Sequence, residues 1–148
     1  MAISYKPQLR IEDFRDLTEQ IRFQSAEGKI WLSEQRMLLM DLSALAAFRR
    51  ELVNTMGIER AKGFFLRLGY QSGLRDSELA RKLRPHCSEL DIFLAGPQLH
   101  SLKGMVKAVP LEIEIDQENG NFYGEVEWID SFEVEICQTE LGKMSEPA

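Results

Sequence analysis

The stretch that decides the fold is residues 109–139, VPLEIEIDQENGNFYGEVEWIDSFEVEICQT. Leu111, Ile113 and Ile115 alternate with Glu112, Glu114 and Asp116, the period of two expected of a strand with one dry face. A turn follows at Glu118-Asn119-Gly120-Asn121, and Asn-Gly between alternating runs is a strong hairpin signal. Phe122, Val126 and Trp128 then share one parity, opposed by Glu125 and Glu127. Phe132, Val134 and Ile136 alternate with Glu133 and Glu135, which reads as a third strand. The expected sheet is antiparallel, with one apolar and one acidic face.

Upstream the period changes from 2 to 3.6. Ile11, Phe14, Leu17 and Ile21 predict a first helix over residues 11–24. Residues 29–41, KIWLSEQRMLLMD, hold two short apolar runs around a polar centre and predict a small hairpin. Asp41 or Ser43 can cap a helix carrying Leu45, Leu52, Val53 and Met56, which Gly57 closes. Residues 58–83 are helical in pattern but contain Gly63, Gly69 and Gly73, each costing about 1 kcal/mol in a helix interior. A break near Gly73 is expected, with Asp76 capping a short helix up to Pro85; close approach of another backbone is the other use of such glycines. Ser88 opens a further helix, expected to break at Gly96-Pro97 and restart before His100. The fold class is therefore α+β, an antiparallel sheet from the C-terminal third covered on one face by several short helices.

The chain has 148 residues and a net charge of −6, the size of one domain. Residues 1–74 hold 11 basic and 9 acidic side chains, whereas residues 75–148 hold 7 and 15. An acidic surface is unsuited to direct nucleic-acid binding. It reads either as a solvated sheet face or as a docking face for a basic partner. No apolar run approaches the ~20 residues of a membrane span, and residues 1–10 lack the apolar core of a signal peptide. Two cysteines, Cys87 and Cys137, without a CxxC pattern fit a reducing cytoplasm.

Motifs for catalysis are missing: there is no GxSxG, P-loop, GxGxxG or HExxH, and no catalytic residue is assigned. His86, Cys87, His100 and Cys137 are four potential zinc ligands at a spacing matching no zinc pattern, so no metal site is assigned either. His100 and Trp128 remain. Both can be ordinary core residues. They can also be the two polar tips of a small apolar cavity, where neutral imidazole offers one donor and one acceptor and indole a donor only. An aromatic ring bearing one hydroxyl would accept from Trp128 and donate to His100.

Four stretches carry a resemblance that spans nearly the whole chain: EGKIWLSEQRMLL (27–39), ERAKGFFLRLGYQSG (59–73), FLAGPQLHSLKGMV (93–106) and FYGEVEWIDSFEVEICQT (122–139). They resemble the N-terminal sensor domain of bacterial activators of aromatic catabolism, the phenol-, dimethylphenol- and xylene-responsive regulators that act with sigma-54 RNA polymerase. The resemblance implies that residues 1–148 are a single ligand-sensing domain whose effector is a phenol. It implies that His100 and Trp128 hold the phenol hydroxyl and that Phe93 lines the pocket, with Ala108 and Val126 as further lining residues. It also implies a homodimer and an attached AAA+ ATPase that the sensor represses until effector binds. The family's zinc site lies in a vinyl-4-reductase-like segment beyond residue 148, so no cofactor is assigned to this chain. A ligand-independent interaction module docking through the acidic face is the competing reading.

Overall fold

The computed structural model describes residues 3–5 and 15–145, with side chains over residues 15–138. The chain forms two compact units, one from residues 1–21 and 76–131 and the other from residues 22–75 and 132–148.

The first unit is built on a three-stranded antiparallel sheet. β5 (Lys107–Asp116) pairs on one edge with β6 (Asn121–Ile129) and on the other with β1 (Ile3–Tyr5), in the order β1-β5-β6. The predicted hairpin is present, and Gly120 takes the positive φ of 66° that its turn requires. The register of β5 and β6 slips by one residue between Pro110 and Glu112, leaving Leu111 as the extra residue of a bulge. Cross-strand partners share a face. The bulge therefore puts Ala108 and Pro110 on the same side as Ile113 and Ile115, opposite Trp128, Val126, Gly124 and Phe122. The other side carries Glu112, Glu114, Asp116, Tyr123, Glu125 and Glu127.

Helix α4 (Glu89–Leu102) packs its Leu94 on fully buried Ile113, with Leu90 and Ile115 beside them. Its start is a capping box in which the Ser88 hydroxyl accepts from the Asp91 amide at 3.1 Å and Asp91 accepts from the Ser88 amide at 3.3 Å. The expected break at Gly96-Pro97 does not occur, because burial of Leu94, Ala95 and Leu99 outweighs the one hydrogen bond that Pro97 removes. His100 consequently sits in the last turn of a long helix, not in the first turn of a short one. Arg84 ties the unit together: its guanidinium donates to both oxygens of Asp16 at 3.0 and 3.2 Å, to the Asp91 carbonyl at 2.9 Å and to the buried Gln98 side chain at 2.7 Å. Asp16 lies on α1 (Arg15–Thr18), a single turn.

The second unit contains the sheet β2-β3-β4, made by Ile21–Gln24, Lys29–Leu32 and Gln35–Met37. The predicted hairpin is β3–β4, turning at Ser33 with φ 55°. The helix expected over 11–24 is corrected: residues 11–14 lie outside the described residues, α1 is short, and 21–24 form a strand. That strand is pinned by Arg22 donating to the Ser33 carbonyl at 3.0 Å and by Trp31 donating to the Gln24 side chain at 2.8 Å, sheet contacts that local periodicity does not report.

α2 (Leu42–Met56) is capped by Asp41, which accepts from the Ala44 amide at 2.9 Å, and closed by Gly57. α3 (Ile58–Leu83) runs without the expected break at Gly73, contributing residues 58–75 to this unit and 76–83 to the other. Asp76 caps nothing; it is buried within α3 and paired with Lys103. The expected third strand is also corrected. Phe132–Ser145 is a helix, α5, in which Phe132 and Ile136 share a face because they are four residues apart. Ile136 is 3% exposed, whereas Val134, which a strand would have buried beside it, is 54% exposed.

Candidate functional site

Phe93, His100, Ala108, Val126 and Trp128 all fall in the first unit. Phe93 and His100 are seven residues apart on α4, two turns along one side of the helix. The Phe93 ring meets that of Phe122 with centroids 4.9 Å apart, so this side of α4 reaches the apolar face of β6.

The other end of α4 is anchored through Ser101. Its hydroxyl donates to the Pro97 carbonyl at 3.2 Å and accepts from the Ala108 amide at 3.0 Å. Ala108 lies directly opposite Trp128, and Pro110 opposite Val126. The residue after His100 is thus bonded to the cross-strand partner of Trp128, which places the end of α4 at the Trp128 end of the sheet.

His100 is half-buried, and its Nδ1 lies 3.0 Å from the Gly96 carbonyl oxygen. A carbonyl only accepts, so Nδ1 carries the proton, and in the neutral ring Nε2 is left as a lone-pair acceptor. Nε2 has no hydrogen-bond partner among the described residues. Trp128 is 64% exposed, and its indole N–H likewise has none, unlike that of Trp31. One unused acceptor thus belongs to the neighbour of Ser101 and one unused donor to the cross-strand partner of Ala108, with half-buried Val126 two residues before Trp128 on the same face of β6.

Sequence reading missed Phe122, Ser101 and the Gly96 carbonyl. Phe122 shares the parity of Trp128, a signal that was available. The Ser101 and Gly96 bonds depend on α4 being continuous and left no trace in the residue pattern.

The opposite face of the β5–β6 hairpin is acidic. Its carboxylates push the Tyr123 hydroxyl above its ordinary ionisation, Glu125 most and Glu112 and Glu114 further. Cys87 and Cys137 are free and exposed. Among the described residues no three His, Cys, Asp or Glu side chains are grouped to hold a metal ion, and no helix is long and apolar enough to cross a membrane.

The sequence profile described as "Activator of aromatic catabolism" matches residues 16–116. The chain is 65% identical over 147 residues to transcriptional regulatory protein XylR of Pseudomonas putida, covering 99% of this chain and 26% of that protein. It is 42% identical over 137 residues to phenol regulator MopR of Acinetobacter guillouiae, covering 93% of this chain and 24% of that one. It thus spans about a quarter of the length of these curated relatives. Among solved structures, the phenol-responsive sensory domain of the transcription activator PoxR with phenol superposes with a TM-score of 0.80. There the identity is 44%, and the match covers 86% of this chain and 64% of that one.

Proposed function

We propose, for a chain that belongs to the activators of aromatic catabolism, that residues 1–148 form the effector-sensing domain of such a regulator and that the effector is a phenol. The observation that supports this reading is that Ser101, the neighbour of His100, is bonded to Ala108, the cross-strand partner of Trp128, while His100 Nε2 and the Trp128 indole N–H are both unused among the described residues. The phenol hydroxyl donates to His100 and accepts from Trp128, while its ring lies against Phe93, Ala108 and Val126. PoxR was solved with phenol and MopR is a phenol regulator, which supports the same ligand class here.

Binding acts as a switch. A ligand shifts an equilibrium only by its differential affinity for the two states, so the effector-bound state must hold the ring better than the repressing state does. In the whole regulator that shift relieves repression of an attached AAA+ ATPase and activates sigma-54-dependent transcription in the cytoplasm. The sensor works as a homodimer, which light scattering tests. It performs no chemistry on its ligand.

Isothermal titration with phenol and with benzene tests the reading. Polar sites reject analogues they cannot pair, so phenol is expected to bind at least tenfold more tightly than benzene. His100→Ala is expected to erase most of that difference. Equal affinity for phenol and benzene in the unsubstituted protein would reject the assignment.

A further inference from the structure

We infer that the site takes up an aromatic alcohol only together with its hydroxyl proton, because the Gly96 carbonyl leaves the neutral His100 ring a lone pair that a phenolate alone cannot satisfy. The inference deepens the phenol reading and rests on it. With the Nδ1 proton committed to Gly96 at 3.0 Å, the neutral ring offers only the Nε2 lone pair. Trp128 offers only an N–H. The ligand oxygen must therefore give one hydrogen bond and take one.

A neutral phenol does both. A phenolate accepts from Trp128 but turns a lone pair toward the lone pair of Nε2, with no proton between them. A methyl ether has the same deficiency without the charge. The bound state thus contains one proton on the line from oxygen to Nε2, whichever atom keeps it. An imidazolium facing a phenolate has the same proton count and the same dependence on pH. Relative to ionised ligand and neutral site, binding takes up one proton.

The ligand class follows from this count. An unsubstituted phenolic hydroxyl ionises near pH 10, so phenol keeps its full affinity through neutral pH. Phenols acidified by electron-withdrawing substituents lose affinity about tenfold per pH unit above their own ionisation.

The test is isothermal titration of the protein with phenol, a trifluorinated phenol and anisole, over a pH range spanning the ionisation of the fluorinated compound but below that of phenol. Fluorine is close to hydrogen in size, so acidity changes with little change of shape. Phenol affinity is expected to stay flat, that of the fluorophenol to fall about tenfold per pH unit, and anisole to bind at least tenfold more weakly than phenol. Repeating the fluorophenol titration above its ionisation in buffers of different protonation enthalpy is expected to show uptake of about one proton. His100→Gln, whose amide can present either its oxygen or its N–H, is expected to flatten the fluorophenol profile. Phenol binding alongside a flat fluorophenol profile overturns this inference alone, whereas anisole binding as tightly as phenol overturns it together with the hydroxyl's bond to His100. Absence of phenol binding at every pH overturns the phenol reading and this inference with it.

Discussion

Ala108 and Trp128 face each other across β5 and β6, and the Ala108 amide is bonded to Ser101, the neighbour of His100. This relationship joins a helix end to a strand end through one hydroxyl. Ser101→Ala leaves the Ala108 N–H without its acceptor, at a cost of about 1–3 kcal/mol when such a group is buried. Thermal melting is expected to show the loss, and phenol affinity is expected to fall several-fold. Unchanged affinity would show that Ser101 does not position the site.

Ala108 itself is small and half-buried beside the indole. Ala108→Leu fills the space assigned to the ligand ring while adding apolar surface to an apolar face. Titration is expected to show phenol affinity reduced more than tenfold with the melting temperature little altered. Retained affinity would move the ring elsewhere on the sheet.

The glycines of α3 give a test of the fold independent of ligand. Gly73 has helical backbone, and a Cβ added there meets nothing within 4 Å. Gly73→Ala is expected to stabilise the protein by about 0.5–1 kcal/mol in urea unfolding. Gly57 takes φ 80°, so Gly57→Ala is expected to destabilise it. A destabilising Gly73→Ala would restore the break that the sequence suggests.

These cases show how far the residue pattern reaches. The β5–β6 hairpin was legible because Ile113 and Ile115 alternate with acids and Asn119-Gly120 marks the turn. The 132–136 segment was misread because Phe132 and Ile136, four apart, suit both periods, and only the exposure of Val134 separates them. Gly73 and Pro97 suggested breaks because their costs are local, whereas the burial that overrides them is tertiary. His100 and Trp128 are singled out as candidates by residue type and by resemblance. The bulge at Leu111 and the Gly96 bond that sets the imidazole's polarity are properties of the folded backbone.

Arg84 holds Asp16, the Asp91 carbonyl and Gln98 in one fan of hydrogen bonds. Lysine keeps the charge but not the planar fork. Arg84→Lys is expected to destabilise the protein by about 1–2 kcal/mol, discounted for the half-exposed Asp16, as read by urea unfolding. A loss under ~0.5 kcal/mol would show that the fan is not structural.

Tyr123 reports on the acidic face. Its hydroxyl is held above its ordinary ionisation, chiefly by Glu125, so the folded state favours the neutral phenol side chain. That contribution is intact below pH ~10 and lost as pH rises through the folded value. Ultraviolet titration is expected to place the Tyr123 ionisation above that of a free tyrosine, and Glu125→Gln to lower it. An unshifted titration in Glu125→Gln would remove Glu125 as the cause.

The most direct test of the ligand site is the indole N–H spectrum of the nitrogen-15-labelled protein. The chain has two tryptophans, and the Trp31 N–H is already bonded to Gln24. Phenol is expected to move the Trp128 signal downfield and leave that of Trp31 in place, while benzene produces no such shift. Phenol that binds by calorimetry yet leaves the Trp128 N–H unmoved would contradict the hydroxyl's placement between His100 and Trp128.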